Sequence, residues 1–375
     1  MILLTVNKFR SILQTIKANH NSIATTRQVS GYLRFSVRMP PDSLSGYSGI
    51  RKKYGNANKF NYKFYWEQSQ EFYKAAKQLP IQSSPLASYY SMLNAVKALI
   101  AYRSDYIDDF INDFAAHGLN EDHTNYNIGD DLNAISIKRK GFGVFGKFAT
   151  LMDSDFDRQW AAGSCFTVEQ LLYNLPFVHR AYTMTYDNRS IKINELFVPL
   201  VAGTSPEFYK ANDGRAYLTF KLDPEYFAPN STTVPNHIFS TLLEKVEIIG
   251  GKGFFLKSRF SAKWNSGSIS SELKQLTKDL RKQFAFIKSP KRLWYLKRQR
   301  LANSAILNVN NMTIILAAMH RFSEIVRYKP EQLNKLMHSK ENWLIHEFLT
   351  LALDQFIDEI AAEITGEEIM CTAQK

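Results

Sequence analysis

Cysteine is nearly missing from this chain, with only Cys165 and Cys371 among 375 residues. Two thiols so far apart exclude a disulfide framework, and they cannot build a four-ligand zinc site without several histidines. A reducing compartment is expected, and a cytoplasmic location fits best. Long apolar runs are lacking too, since no stretch reaches the roughly 18 uninterrupted residues of a membrane-spanning helix. The start, Met1-Ile2-Leu3-Leu4-Thr5-Val6, is too short for a signal h-region and has no basic residues before it. No membrane partner is expected. HExxH and P-loop fingerprints are missing as well, and neither a metal nor a cofactor is expected. No low-complexity tract occurs and nothing repeats at a fixed period, which argues against a solenoid.

The composition that remains is globular, 45% hydrophobic and 13% aromatic, enough to build a sizeable core. The length predicts about two domains, or one domain with a large insertion. Net charge is +12, and its location matters more than its size. Between residues 251 and 300 lie 14 Lys or Arg against only Glu272 and Asp279, so this segment holds the entire surplus. Residues 341–375 turn acidic. Such asymmetry points to an anionic partner for one region.

Along the chain, residues 1–58 read as an appendage and linker, with a short amphipathic stretch (Phe9, Ile12, Leu13, Ile16) before a Gly/Ser/Pro-rich connection. Residues 59–188 carry helical periods. Tyr62, Tyr65, Trp66, Phe72, Tyr73 and Ala76 recur at three and four until Pro80, and a second helix starts near Ser84 with Pro85 in its first turn. A short helix over 105–116 runs into His117-Gly118, where glycine suits the left-handed close of a helix. Thr167-Val168-Glu169-Gln170 reads as a capping box. Residues 189–262 alternate as strands do, notably over 190–198 and 215–222, which predicts a small β insertion. From 263 to 375 the helical period returns: Leu273, Leu276, Leu280 and Phe284, then Ile314 to Val326, then Trp343 to Ile364. The expected fold is mostly α, a helical bundle core with a small β insertion, α+β when the insertion is counted.

Residues from about 60 to 365 resemble the bacterial YaaC-like family. The resemblance rests on the aromatic helix before Pro80, on Pro85, Tyr89-Tyr90, Leu93-Asn94 and Lys97-Ala98-Leu99, on His117-Gly118-Leu119, on Leu171-Leu172 with Pro176, and on Ser323, Arg327-Tyr328 and Pro330. It implies a largely helical prokaryotic protein and a place in a phage-defence or stress-response assembly, without naming a reaction. The Tyr-Tyr, Asn, Lys-Ala-Leu helix is also similar to the HEPN group, whose RNA-cleaving members carry Arg and His a few residues apart. Here Arg103 to His117, Arg327 to His338 and Arg10 to His20 are all too wide. A composite site would need His117 brought to Arg321 or Arg327 by folding.

Two sets of candidate residues follow. The first is the basic stretch, where Lys288, Lys291, Arg292, Lys297, Arg298 and Arg300 interleave with Trp294 and Tyr295. Cations neutralise phosphates and aromatics stack on unpaired bases, so nucleic acid, DNA or RNA, is the expected partner. The contrary reading packs this stretch against the acidic C-terminal helix with Trp294 in the core. A scaffold that recognises an acidic protein, or a second copy of itself, is the alternative function. The second set is a pocket of Tyr90, Asn94, Lys97, Arg321 and Tyr328, with His117 and Arg327 as catalytic candidates for a nuclease. His117 can serve as base or phosphate ligand, or merely bond the last carbonyls of a helix. Arg327 can hold an anion or pair with a carboxylate. His338, Glu341, Asn342 and His346 straddle a helix start and are read as caps rather than ligands.

Overall fold

The fold is taken from a computed structural model, which describes residues 9–11, 14–18, 62–103, 115–121, 131–153, 155–186, 196–227, 243–245, 254–264, 271–289, 293–298, 306–365 and 367–371. Pro80 and Pro85 punctuate the first two helices, α1 (Tyr62–Gln78) and α2 (Ser84–Arg103). Small residues let them approach closely, and the Ser91 hydroxyl donates to the Ser69 carbonyl at 2.9 Å inside the contact. After them come α3 (Val144–Met152), α4 (Phe156–Gln159), α5 (Val168–Tyr173) and α6 (His179–Thr185). The capping box is present at α5: the Thr167 hydroxyl accepts from Gln170 N at 3.2 Å while the Gln170 amide oxygen accepts from Thr167 N at 3.0 Å. The C-terminal half supplies α7 (Ser271–Arg281), α8 (Asn311–Tyr328), α9 (Pro330–Met337) and α10 (Asn342–Thr365). Asn310 caps α8 by accepting from Met312 N at 2.9 Å. Pro330 opens α9, where its lack of an N–H costs nothing.

The expected helical bundle with one small β insertion is overturned, because sheets occur along the whole chain and the fold is mixed α/β. Two N-terminal strands are β1 (Phe9–Ser11) and β2 (Gln14–Ala18). In the segment read as wholly helical, β3 (Leu119–Asn120), β4 (Ser136–Arg139) and β5 (Cys165–Thr167) form a three-stranded sheet. Beyond residue 189 come β6 (Phe197–Pro199), β7 (Glu207–Lys210), β8 (Arg215–Leu222), β9 (Leu243–Lys245), β10 (Phe254–Ser258) and β11 (Ala262–Lys263). The largest sheet runs β1-β7-β8-β10-β9, with β11 also on β8. The basic stretch is itself a strand pair, β12 (Phe284–Ile287) and β13 (Leu293–Lys297), joined by β6. Finally β14 (Glu367–Cys371) pairs in parallel with β2. Phe284, expected on a helical stripe with Leu280, instead opens β12. Most of the expected strand over 190–198 and most of the helix over 105–116 lie outside the described residues.

A continuous apolar core joins these layers, running from Trp66 through Phe145, Trp160, Leu218 and Trp294 to Phe356 and Ile364. Its helical wall is α2, α8 and α10, and α2 lies between α1 and α8. Tyr73 and Lys77 of α1 both reach Asp354 of α10, at 2.8 and 2.7 Å, which fastens the outer helix to the last one. Among the described residues no helix is long and apolar enough to cross a membrane.

Candidate functional site

Two parallel stripes define the site. On α2, Tyr90, Asn94 and Lys97 recur at four and three residues; on α8, His320, Glu324 and Arg327 do the same. Such spacing puts each trio on one helix face. Because α2 packs on α8, the two faces meet, and the turn carrying His117 closes over their junction. The rings of Tyr89 and His320 lie edge to face at 4.9 Å, His117 and His320 at 5.6 Å, and Tyr89 and His117 at 5.3 Å.

The His117 turn is fixed by backbone alone. Gly118 has φ +88°, and Gly143, at the start of α3, has φ +107°; a Cβ on Gly143 would lie 2.6 Å from Gly118 N and 2.7 Å from Gly118 Cα. Only glycine permits that approach and those dihedrals. Three hydrogen bonds complete the clamp: Lys140 N to Gly118 O and Val144 N to Ala116 O, each 2.9 Å, and Phe145 N to His117 O at 3.0 Å. The same loop therefore delivers Lys140 and Phe142 to the site.

Electrostatics follow from this crowding. Burial pushes His320 down to about 3, helped by His117, Arg321 and Arg327, so it is neutral at pH 7 and its 3.6 Å approach to Glu324 is not an ion pair. Its Nδ1 is buried with no hydrogen-bond partner among the described residues. His117, half-buried, is also lowered, first by burial and then by Lys97, Arg327 and Lys140. Lys97 is lowered by burial, and its Nζ lies 5.9 Å from the centre of the Tyr65 ring.

The cations differ in how they are satisfied. Arg321 is buried and committed, to Glu121 at 2.6 Å and Glu324 at 3.1 Å, and Lys329 shares Glu121 at 2.6 Å. Arg327 is exposed and donates to two tyrosine hydroxyls, Tyr328 at 2.8 Å and Tyr90 at 3.4 Å, with the Tyr328 ring 4.7 Å beneath its guanidinium. Among the described residues no carboxylate pairs with it. Among the described residues, Lys97, Lys140, Arg321, Arg327 and Lys329 gather here with Glu121 and Glu324, and Arg321 and Lys329 occupy those two carboxylates.

Of the pocket and catalytic candidates, the fold brings together His117, Tyr90, Lys97, Arg327 and Tyr328. Asn94 is buried and its amide donates to the Tyr90 carbonyl at 2.8 Å, so it serves the helix. Arg321 is spent on its carboxylates. His320, Lys140 and Phe142 went unread, although the four-and-three spacing of His320, Glu324 and Arg327 matched that of α2.

The basic stretch requires correction as a nucleic-acid surface. Trp294 is 1% exposed, packed on Phe286 with the Arg281 guanidinium 5.2 Å from its ring centre. Lys297 is 2% exposed and donates to the Leu307 carbonyl at 2.7 Å, and burial lowers it to about 7. Arg298 is buried, Tyr295 is half-buried, and Lys288 pairs with Asp358 of α10 at 2.8 Å. Alternation along β13 turns Trp294 and Leu296 inward, and buried groups cannot stack on bases. Lys291, Arg292 and Arg300 lie outside the described residues. Nor do His338, Glu341, Asn342 and His346 converge: His338 and His346 are exposed, while Glu341 is buried and accepts from Leu132 N at 2.9 Å and from the Tyr186 hydroxyl. Among the described residues no three His, Cys, Asp or Glu are placed to hold a metal.

A mixed α/β protein with a histidine-centred cationic cleft is what fold and site define. The chain belongs to the YaaC-like family, whose sequence profile, described as YaaC-like Protein, matches residues 34–364. Comparison with curated proteins and with solved structures gave no match.

Proposed function

We propose that the cleft between α2 and α8 binds nucleic acid through its phosphate backbone. The observation that carries this reading is Arg327, an exposed guanidinium that no carboxylate pairs among the described residues, set among Lys97, Lys140 and the neutral imidazole of His117. A planar fork of donors suits two phosphate oxygens, and a fixed cation there releases counterions on binding. Arg327→Glu is expected to weaken oligonucleotide binding by about tenfold or more and to flatten the log–log salt dependence by about one unit. Fluorescence anisotropy over a salt series measures both. Equal affinity and slope in the variant, with loss on Lys291→Glu/Arg292→Glu instead, would return the site to the basic stretch.

A second reading, phosphodiester cleavage, is favoured by His117, whose ring nitrogens have no hydrogen-bond partner among the described residues. With RNA, neutral His117 takes the proton of the 2′-hydroxyl, the 2′-oxygen bonds to phosphorus, the bond to the 5′-oxygen breaks, and that oxygen takes a proton from water. Arg327 would offset the charge gathering on phosphorus. Because the His117 pKa is lowered, cleavage is expected to be level around pH 7 and to fall on acidification below 6.5. His117→Ala should reduce the rate about 100-fold or more. Degradation that persists in both His117→Ala and Arg327→Ala removes these residues from any mechanism.

A further inference from the structure

Two exposed aromatic rings belong to the segments that form the cleft. Phe142 is 58% exposed and Tyr328 is 68% exposed. Other large apolar side chains at the surface, such as Met184 on α6 and Phe260 after β10, belong to other elements. Phe142 does not hang from a loose loop. Its peptide carbonyl would be 2.9 Å from a Cβ on Gly118, the following Gly143 lies against the Gly118 backbone, and Lys140 N and Val144 N bracket it with hydrogen bonds to the His117 turn. The backbone that fixes His117 therefore also holds Phe142 with its ring in solvent. Tyr328 ends α8, the next residue after Arg327, with one ring face turned to that guanidinium.

A rigid, solvent-facing ring beside an unpaired cation is the arrangement that receives a flat apolar face attached to an anion. A nucleotide in a single strand has both parts, whereas in a duplex the faces of the bases are already stacked on their neighbours. Among the described residues the charge around the cleft is complementary to phosphate. We propose that the occupant is a single strand of nucleic acid, with unpaired bases stacked on Phe142 and Tyr328 while Arg327 holds the phosphate. This rests on the phosphate-binding reading above and adds the choice of strand.

The test compares the full chain's affinity for one fluorescent oligonucleotide as a single strand, as a duplex, and as an abasic strand of equal length, in RNA and DNA versions. The single strand is expected to bind about tenfold tighter than the abasic strand, the stacking of a single base having about that effect. Phe142→Ala and Tyr328→Ala should each remove most of this preference, Phe142→Ala with abasic binding unchanged. Phe142→Trp and Tyr328→Phe, which keep a ring, should retain it. Arg327→Glu should weaken all strands, abasic included. If the wild type binds the abasic strand or the duplex as well as the single strand, or if neither alanine variant alters the preference, the stacking proposal is overturned while loss on Arg327→Glu still supports the phosphate seat. If Arg327→Glu changes nothing, the phosphate reading falls, and the stacking proposal with it. Preference in both sugar types supports stacking alone, and preference for RNA only assigns the 2′-hydroxyl a contact as well.

Discussion

A Gly143→Ala variant is expected to lose about 3–5 kcal/mol of folding stability. Two costs combine. Gly143 adopts φ 107° and ψ 173°, a conformation open essentially to glycine and worth about 1–3 kcal/mol of strain for any other residue. Its Cβ would also fall 2.6 Å from Gly118 N, 2.7 Å from Gly118 Cα and 2.9 Å from Ala116 O, all backbone, so no rotamer change relieves the clash. Gly163→Ala isolates the first cost. Gly163 has φ +86° with nothing within 4 Å of an added Cβ, so strain alone should amount to about 1 kcal/mol. Urea denaturation of both variants provides the comparison, and equal losses would mean that the close approach of the two loops does not matter. A Gly143→Ala protein that folds should also have His117 and Phe142 moved apart, so its oligonucleotide binding should fall further than a loss of stability explains.

Local chemistry made part of this fold legible. Pro80 and Pro85 mark the boundary of α1 and α2, Thr167 and Gln170 cap α5, and the apolar stripe of α10 follows a strict helical period, because each signal acts over a few residues. The strands carried less information. Phe284-Ala285-Phe286-Ile287 follows closely on a helix whose apolar spacing Phe284 continues, and β13 finds its second partner in β6, about a hundred residues earlier in the chain. Nothing within a short window specifies such a partner. Charge misled for the same reason: a count over residues 251–300 sees the cations but not Asp155, Asp358 and Glu359, which neutralise Lys282, Lys288 and Arg281 from other elements. At the cleft, His117, Lys97 and Arg327 were readable as chemistry, but their meeting depends on α2 packing against α8. His320 was readable only by noticing that two separate helices carry polar residues at the same spacing.

Arg281→Met is the second variant expected to have a large effect, about 3–5 kcal/mol. The Arg281 guanidinium is buried at the end of α7, bonded to Glu359 at 2.9 Å and to the Phe284 carbonyl at 2.9 Å. Glu359 is equally buried, and its other oxygen accepts from Gln355 at 2.7 Å. Burial raises the Glu359 carboxyl above its ordinary range even with Arg281 pulling it down. Without the guanidinium the carboxylate is left uncompensated in the core, and its pKa must rise further. An acid whose folded pKa exceeds its unfolded one weakens the fold as pH climbs between the two values. The deficit of Arg281→Met should therefore be smallest near pH 4 and full at neutral pH. Adding Glu359→Met should restore most of the loss, because replacing both partners of a buried pair by apolar groups of similar size is often close to neutral. Thermal or urea unfolding of the two single variants and the double at pH 4 and 7 closes the cycle. The opposite pattern, with stability unchanged and oligonucleotide binding impaired, would place Arg281 on an exposed binding face. It would also restore the basic stretch as the contact surface in place of Arg327.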